Sequence, residues 1–400
     1  MRGRWLGYGI AAMLCCGGVA AGELDPPGAP EPTQPASEPR IPVGPETTPG
    51  DGSAQFVISE AGSYYLTGNL TGEPGLSGIH IRAGGVTLDL NGFSLQGVAS
   101  SENGIATTAK MVSAVAVHSG AVDGWSLAGI DTENATGVRL WDLTLRGNEQ
   151  SGIRAGNGTI VNRCAADGNG EMGIQVGRGS SVTDCTAREN FLGGFSGEGD
   201  VLFERCVATG NGGTGIFSGG NGNVRNCTAS GNESGIGLGS GSVIGCEAND
   251  NTPGSGISVL STGVVQQCHA RDNGEDGILV GSSVRVTECS AAQNGDDGIQ
   301  VAALSSVTGC AVAGNGQTSA DGAGIHNPSG QSRIDSNVVS LNPIGISVGG
   351  SGGALIVRNT LLSNTMDFDV SSGHVIGTLI DMNAIDGVFT SDAPWANFVR

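Results

Sequence analysis

The chain is poor in the residues that most functions rest on. Only 4% of its 400 residues are aromatic and only 14% are charged. A globular enzyme of this length ordinarily carries a larger aromatic core, so the apolar interior must be built from thin layers of small side chains. Lys110 is the sole lysine among 18 basic residues, against 38 acidic ones, and the formal net charge is −20. So acidic a chain is excluded as a partner of nucleic acid or of anionic membrane surfaces. No pair of cysteines has the Cys-x2-Cys spacing of a zinc site. No Gly-x-Ser-x-Gly turn stands between a strand and a helix, and the Gly-rich strings are not phosphate loops. No apolar stripe at helical spacing occurs.

What the chain has is glycine, 72 residues of it, and a period. Cysteine recurs at Cys164, Cys185, Cys206, Cys227, Cys246, Cys268, Cys289 and Cys310, mostly at intervals of 21 residues. Five residues after each stands an asparagine: Asn169, Asn190, Asn211, Asn232, Asn251, Asn273, Asn294 and Asn315. An apolar residue comes three before each cysteine and a small one two after it, and a Gly-Ile pair opens most repeats. A repeat of about 21 residues rich in Gly, Ser, Thr, Asn and Val is one coil of a solenoid made of three short strands and three bends. The predicted fold is therefore all-β, a parallel β-helix whose coils stack about 4.8 Å apart. Stacking puts equivalent residues above one another. The asparagine column is then a structural ladder that satisfies bent backbone. The cysteine column is either a buried row of free thiols acting as small hydrophobes or a set of disulfides between adjacent coils, which the rung spacing permits.

The domain reading follows. Residues 1–21, with Arg2 and Arg4 before an apolar stretch and Val19-Ala20-Ala21 after it, read as a secretory signal. Leu14 before Cys15 and Cys16 is a poor fit to a lipid-attachment site. Residues 22–53 read as a Pro-rich, extended linker. No segment after the signal is expected to cross a membrane. Residues 54–400 form the β-helix: an N-terminal cap over 54–96 with Phe56, Tyr64, Tyr65 and Phe93, irregular coils over 97–150 enclosing Trp125 and Trp141, regular coils over 151–365, and a C-terminal cap over 366–400 with Phe368, Phe389, Trp395 and Phe398. The coil from Asn315 to Asn342 is six residues too long, and Gly316 to Gly324 is predicted to protrude.

The repeats GIQVGRGSSVTDCTAREN and GILVGSSVRVTECSAAQN resemble those of the secreted right-handed parallel β-helix repeat proteins of bacteria. The opening GSYYLTGNLTG and GVTLDLNGFSL and the closing DAPWANF are similar to the ends of a planctomycete-type subgroup. This resemblance implies the pectate-lyase-like superfamily fold and a location outside the cytoplasm: secreted, periplasmic or on the cell surface. It implies little about activity, because relatives include lyases, epimerases, hydrolases, tailspikes and binding proteins.

For chemistry, the residue after each Gly-Ile pair should face outward. Along that column Asp131, Arg139, Arg154 and Gln175 are expected to be neighbours, giving a basic groove able to meet a uronate carboxylate. Gln300 and His326, beside the long coil, make a second candidate. GEDG and GDDG, which hold Glu275, Asp276, Asp296 and Asp297, read first as solvated turns. The GDDG pair also resembles the paired aspartates of polygalacturonases, and stacked carboxylates at these sites are weak Ca²⁺ candidates. No other cofactor is expected. Because nearly every repeated residue has a structural explanation, the leading expectation is a non-catalytic scaffold, adhesin or polysaccharide-binding surface. The competing one is a lyase, C5-epimerase or hydrolase acting on an acidic glycan. A convergent cluster of acids and bases in one groove favours the second, and evenly spread polar residues favour the first.

Overall fold

A computed structural model describes residues 40–108, 112–384 and 392–400. The expected signal and most of the expected linker, with Lys110 and Phe389, lie outside the described residues. The fold is the expected one, an all-β right-handed parallel solenoid of about 21 residues per coil. Each regular coil contributes three short strands to three faces, for example Met172–Val176, Ser181–Thr183 and Thr186–Arg188. Each strand pairs in parallel with its equivalent one coil later, as Ile153 with Ile174 and Ile174 with Phe195. The first face carries the Gly-Ile strands. Among the described residues no helix is long and apolar enough to cross a membrane.

Why the short strands stop where they do is written in the bends. The residue before each cysteine, such as Arg163, Asp184 or Arg205, has φ between 50° and 67°, a left-handed conformation that reverses the chain. Glycines before the Gly-Ile isoleucines have no room for a side chain. A Cβ on Gly173 would stand 2.8 Å from Asn190 Nδ2 and from the Gly194 carbonyl oxygen.

The asparagine ladder is continuous. From Asn148 to Asn364, each Nδ2 donates to the Oδ1 of the next asparagine at 2.8–3.1 Å. Over the same run each Oδ1 also accepts the backbone N–H of the asparagine before it, as Asn211 Oδ1 does from Asn190 N at 3.1 Å. The row starts where Asn148 Oδ1 accepts the Trp125 N–H and ends where Asn364 Nδ2 donates to Asp367 Oδ1, 3.1 Å away. Buried amides bonded on every side in this way offset their desolvation.

The cysteine column is a row of eight buried free thiols, so of the two sequence readings the structure has the first. It is chemically continuous with a second asparagine ladder. The Cys164 N–H points at Cys185 Sγ at 3.4 Å, as the Cys310 N–H does at Asn337 Oδ1 at 2.9 Å, and the row continues through Asn359 to Asn397. Each thiol therefore fills an acceptor position as well as a core volume. The thiols of Cys227, Cys246, Cys268 and Cys289 are pushed up to about 12, first by the thiol one coil earlier and then by burial. Thiolates being the reactive form, all eight should be silent to Ellman's reagent at pH 8 in the native protein. They should react in guanidinium without added reductant; a titre that rises only after reduction would mean that the coils are cross-linked.

Two expectations about the ends change. Among the described residues, strand pairing is already present before residue 54. Ile41–Pro42 pairs in parallel with Tyr64 and Tyr65, and the Arg40 guanidinium lies over the Tyr65 ring at 4.9 Å. Proline is tolerated there because the strand lies at the sheet edge, where a missing N–H costs nothing. The C-terminal segment is a further coil as well as a cap: Met366–Val370 continues the first face, and Asn397–Val399 pairs with Thr360–Leu362. Trp125 is fully buried, as expected. Trp141 is not inside. It lies half-exposed on the outer surface, stacked on His118 with ring centroids 4.3 Å apart.

Candidate active site

The predicted basic groove does not form. Asp131 and Arg154 are neighbours on the first face, and Gln175 follows Arg154. Arg139, however, pairs with Ala116 and Ile160 on the second face. The Gly137-Val138 pair before it only imitates a Gly-Ile strand. Gly137, at φ 63°, is a turn residue, and Gly129-Ile130 opens the strand of this coil. Arg154 is also already neutralised. Its Nη2 donates to Asp131 Oδ2 at 2.6 Å, and its Nε stands 3.4 Å from Glu133 Oε2.

The acids of GEDG and GDDG do converge. Asp276 and Asp297 occupy the position just before the Gly-Ile pair, where earlier coils have Thr214, Ser234 and Ser255. They are not solvated turns: Asp276 is 6% exposed and Asp297 1%. Oxygens of Asp276, Asp296 and Asp297 all lie within 4.8 Å of one another, with Asp296 half-exposed. Glu275 stays apart from them, exposed, accepting from Ser255 Oγ at 3.4 Å.

Asp297 is held on both oxygens. Oδ1 accepts the Ala323 N–H at 2.7 Å; Oδ2 is 2.7 Å from His326 Nδ1 and accepts from Gln300 Nε2 at 3.0 Å. Asp276 Oδ1 accepts the Asp297 N–H at 3.1 Å. His326 reaches Asp297 from the next coil on the same face. The long coil is what fits it there. Its extra residues do not protrude but fold back against the preceding turn, where Thr318 N and Oγ1 both donate to the Gly295 carbonyl oxygen, at 2.9 and 3.0 Å.

The electrostatics follow from this packing. Burial, reinforced by the charge of Asp297, pushes the Asp276 carboxyl up to about 7, against the Asp297 N–H that favours its ionised form. The hydrogen bond to Asp297 raises His326 above the usual histidine range, more than its own burial lowers it. The site thus joins a carboxyl whose proton affinity is raised toward neutral pH to a second carboxyl hydrogen-bonded to a histidine, with a third, half-exposed carboxyl beside both. Such a separation of acid and base character is what proton transfer needs. It suits Ca²⁺ poorly. Asp297 has both oxygens engaged, one by a group that becomes cationic, while Ca²⁺ wants six or more free oxygens.

Gln300 and His326 were legible as outward residues, and they belong to this site. The burial of Asp276 and Asp297 left no signal of its own in the sequence: each stands three residues after a ladder asparagine, where neighbouring coils carry hydroxyl residues that border the outer face.

Residues 121–251 and 194–339 match the family model described as right-handed beta helix region. A comparison with curated proteins finds no match. Among solved structures, the chain is similar to the A-module of the Azotobacter vinelandii mannuronan C-5 epimerase AlgE4, at 18% identity over 79% of this chain and 90% of that one, with a TM-score of 0.47. It is also similar to the Dettilon tailspike protein, at 14% identity over 86% and 61% with a TM-score of 0.29. A third is the Streptococcus pneumoniae surface protein and adhesin PfbA, at 10% identity over 90% and 91% with a TM-score of 0.31. Since the matched region runs from residue 121 to residue 339, more than half of the chain, this protein belongs to the right-handed β-helix family.

Proposed function

We propose that this protein is a glycoside hydrolase acting on an extracellular polysaccharide at Asp276, Asp296, Asp297 and His326. The observation that carries the reading is the convergence of three carboxylates and a histidine, contributed by three successive coils, at one point of the first face. Titratable groups perturbed by burial and by a specific neighbour, gathered at one point of a surface, are characteristic of functional sites.

In the reaction, Asp276 gives its proton to the leaving glycosidic oxygen as that bond to the anomeric carbon breaks. Separations below 4.8 Å are nearer to the spacing of retaining glycosidases than to the wider gap that inverting ones leave for water. Asp296 therefore attacks the anomeric carbon. Water then displaces it, losing a proton to Asp276, and the enzyme returns to its starting state. Asp297 is a positioning residue: its carboxylate, fixed by Ala323 and His326, keeps Asp276 protonated and fixes the backbone around it. The secretory signal expected over residues 1–21 fits a polymer met outside the cell.

The test is a screen of the chain from Gly22 on neutral glycans and on pectate and alginate. Both reducing ends and unsaturated-product absorbance should be followed. Reducing ends should appear without unsaturated product, and Asp296→Asn should lower turnover by about 10²-fold or more. No turnover across the panel, or turnover indifferent to Asp296→Asn, would return the protein to the non-catalytic reading.

A further inference from the structure

The first face carries a second feature, on the coils that lead up to the acid cluster. Phe217 is 40% exposed on its strand, at the outward position next occupied by Gly237. A side chain at Gly237 would meet Phe217 Cδ2 at 3.5 Å, ordinary contact distance. Glycine here therefore leaves the phenyl ring uncovered, and nothing in the backbone requires it, since φ at this residue is not positive. The ring borders a hollow of about 280 Å³ whose polar lining consists of the hydroxyls of Thr214, Ser234, Ser255 and Ser258 and the Glu275 carboxylate. Leu260 and Leu279, with Ile236 and Leu238, supply the rest of its apolar wall. Among the described residues no arginine, lysine or histidine borders it.

We infer that this hollow is a subsite for an uncharged pyranose ring, stacked on Phe217 and hydrogen-bonded by the serines. The inference rests on the proposed glycan site and names the class of chain that it takes. An open aromatic face ringed by hydroxyls and one carboxylate is what the apolar face and the hydroxyl edge of a sugar require together. Absence of a cation from the lining, with Glu275 at its edge and Arg154 neutralised elsewhere, turns a uronate away. The hydroxyl column Thr214, Ser234 and Ser255 continues on the next two coils as Asp276 and Asp297. Three coil steps, roughly 14 Å at the spacing of a sheet, separate the Phe217 coil from the coil of Asp276. A glycan lying along the solenoid axis thus crosses the hollow before reaching the acids, and one too short to bridge that distance gains nothing from Phe217.

The experiment is calorimetric titration in an Asp296→Asn background, so that no substrate is consumed, using hexasaccharides and disaccharides of xylose, glucose and mannose together with hexameric galacturonate and mannuronate. At least one neutral hexasaccharide should bind. Phe217→Ala and Gly237→Leu should each weaken it by about tenfold, while disaccharide binding at the acids stays as it was. Gly237→Leu fills space that the structure leaves open, so it separates loss of the platform from loss of fold. Unchanged hexasaccharide affinity in both variants, equal or tighter binding of the uronates, or no binding of any neutral hexasaccharide would overturn the subsite. Platform-dependent binding without any turnover by the wild-type chain would sink hydrolysis alone. Turnover that needs Asp296 but ignores Phe217 and Gly237 would sink the subsite alone.

Discussion

Asp276→Asn should abolish glycan cleavage and at the same time raise the melting temperature above neutral pH. Asparagine keeps the shape and can still accept the Asp297 N–H, but it has no proton to give, so a fall in turnover of about 10²- to 10⁴-fold is expected. The stability effect follows from linkage. An aspartate in the unfolded chain titrates near 3.9, whereas folding pushes Asp276 up to about 7, chiefly by burial. Between about pH 4 and pH 7 the folded protein therefore holds a proton that the unfolded chain has released, and stability declines as pH rises through that window. Above it the native protein carries a buried charge that costs on the order of a few kcal/mol. The variant never carries that charge. Its melting temperature should exceed that of the parent by a few degrees at pH 8, and the two curves should meet below pH 4. His326 adds in the same direction: raised by Asp297, its contribution is present below the usual histidine range and fades as pH climbs through its elevated value. A variant that is inactive but no more stable at pH 8 would show that Asp276 is ionised at no cost, and it would remove the acid from the mechanism.

The second large effect lies in the ladder. Asn190→Ala removes the acceptor used by both the backbone N–H and the Nδ2 of Asn169, and it strips the Ala166 carbonyl and Asn211 Oδ1 of a donor. All of these groups are out of reach of water, and each one orphaned costs about 1–3 kcal/mol. A loss of roughly 3–5 kcal/mol is expected, read as a lower midpoint in chemical denaturation. Asn364→Ala is the control. Its residue is half-exposed at the end of the row, where water replaces what is lost, so its midpoint should move much less. Equal shifts at the two positions would mean that the ladder's stability does not come from burial.

The reason the coil, the thiol row and the asparagine row could be foreseen is that each is repeated. A side chain that must stack on its equivalent every 21 residues leaves a column, and columns survive in a single sequence. What was missed breaks the repeat. Arg139 follows Gly137-Val138, which imitates a strand opening although Gly137 is there for its left-handed φ, and so it lies on the second face rather than the first. Asp276 and Asp297 looked like turn residues since acids beside glycine usually are. In neighbouring coils their position carries hydroxyl residues, and the contacts of Asp297 with Gln300, Ala323 and His326 come into view only when the coils are stacked. His326 was picked as an outward residue, but not its partner, because the distance from Asp297 in sequence includes the extra turn of the long coil. Proline at residue 42 argued for an extended linker, and the edge strand that accepts it was decided by tertiary pairing alone.

The amide row also gives the solenoid an electrical direction. From Asn148 onward each Oδ1 accepts from the coil on its N-terminal side and each Nδ2 donates one N–H to the Oδ1 of the coil on its C-terminal side, so the amide-to-amide bonds all run one way along the row, as those of peptide groups do in a helix. Bonded in a chain, each amide polarises the next. The positive pole of this line meets the carboxylate of Asp367, which serves it as an anion serves a helix N-terminus. A shortened or lengthened solenoid would keep that direction as long as its amides stayed in register, and Asp367 supplies an acceptor where this wire of amides ends.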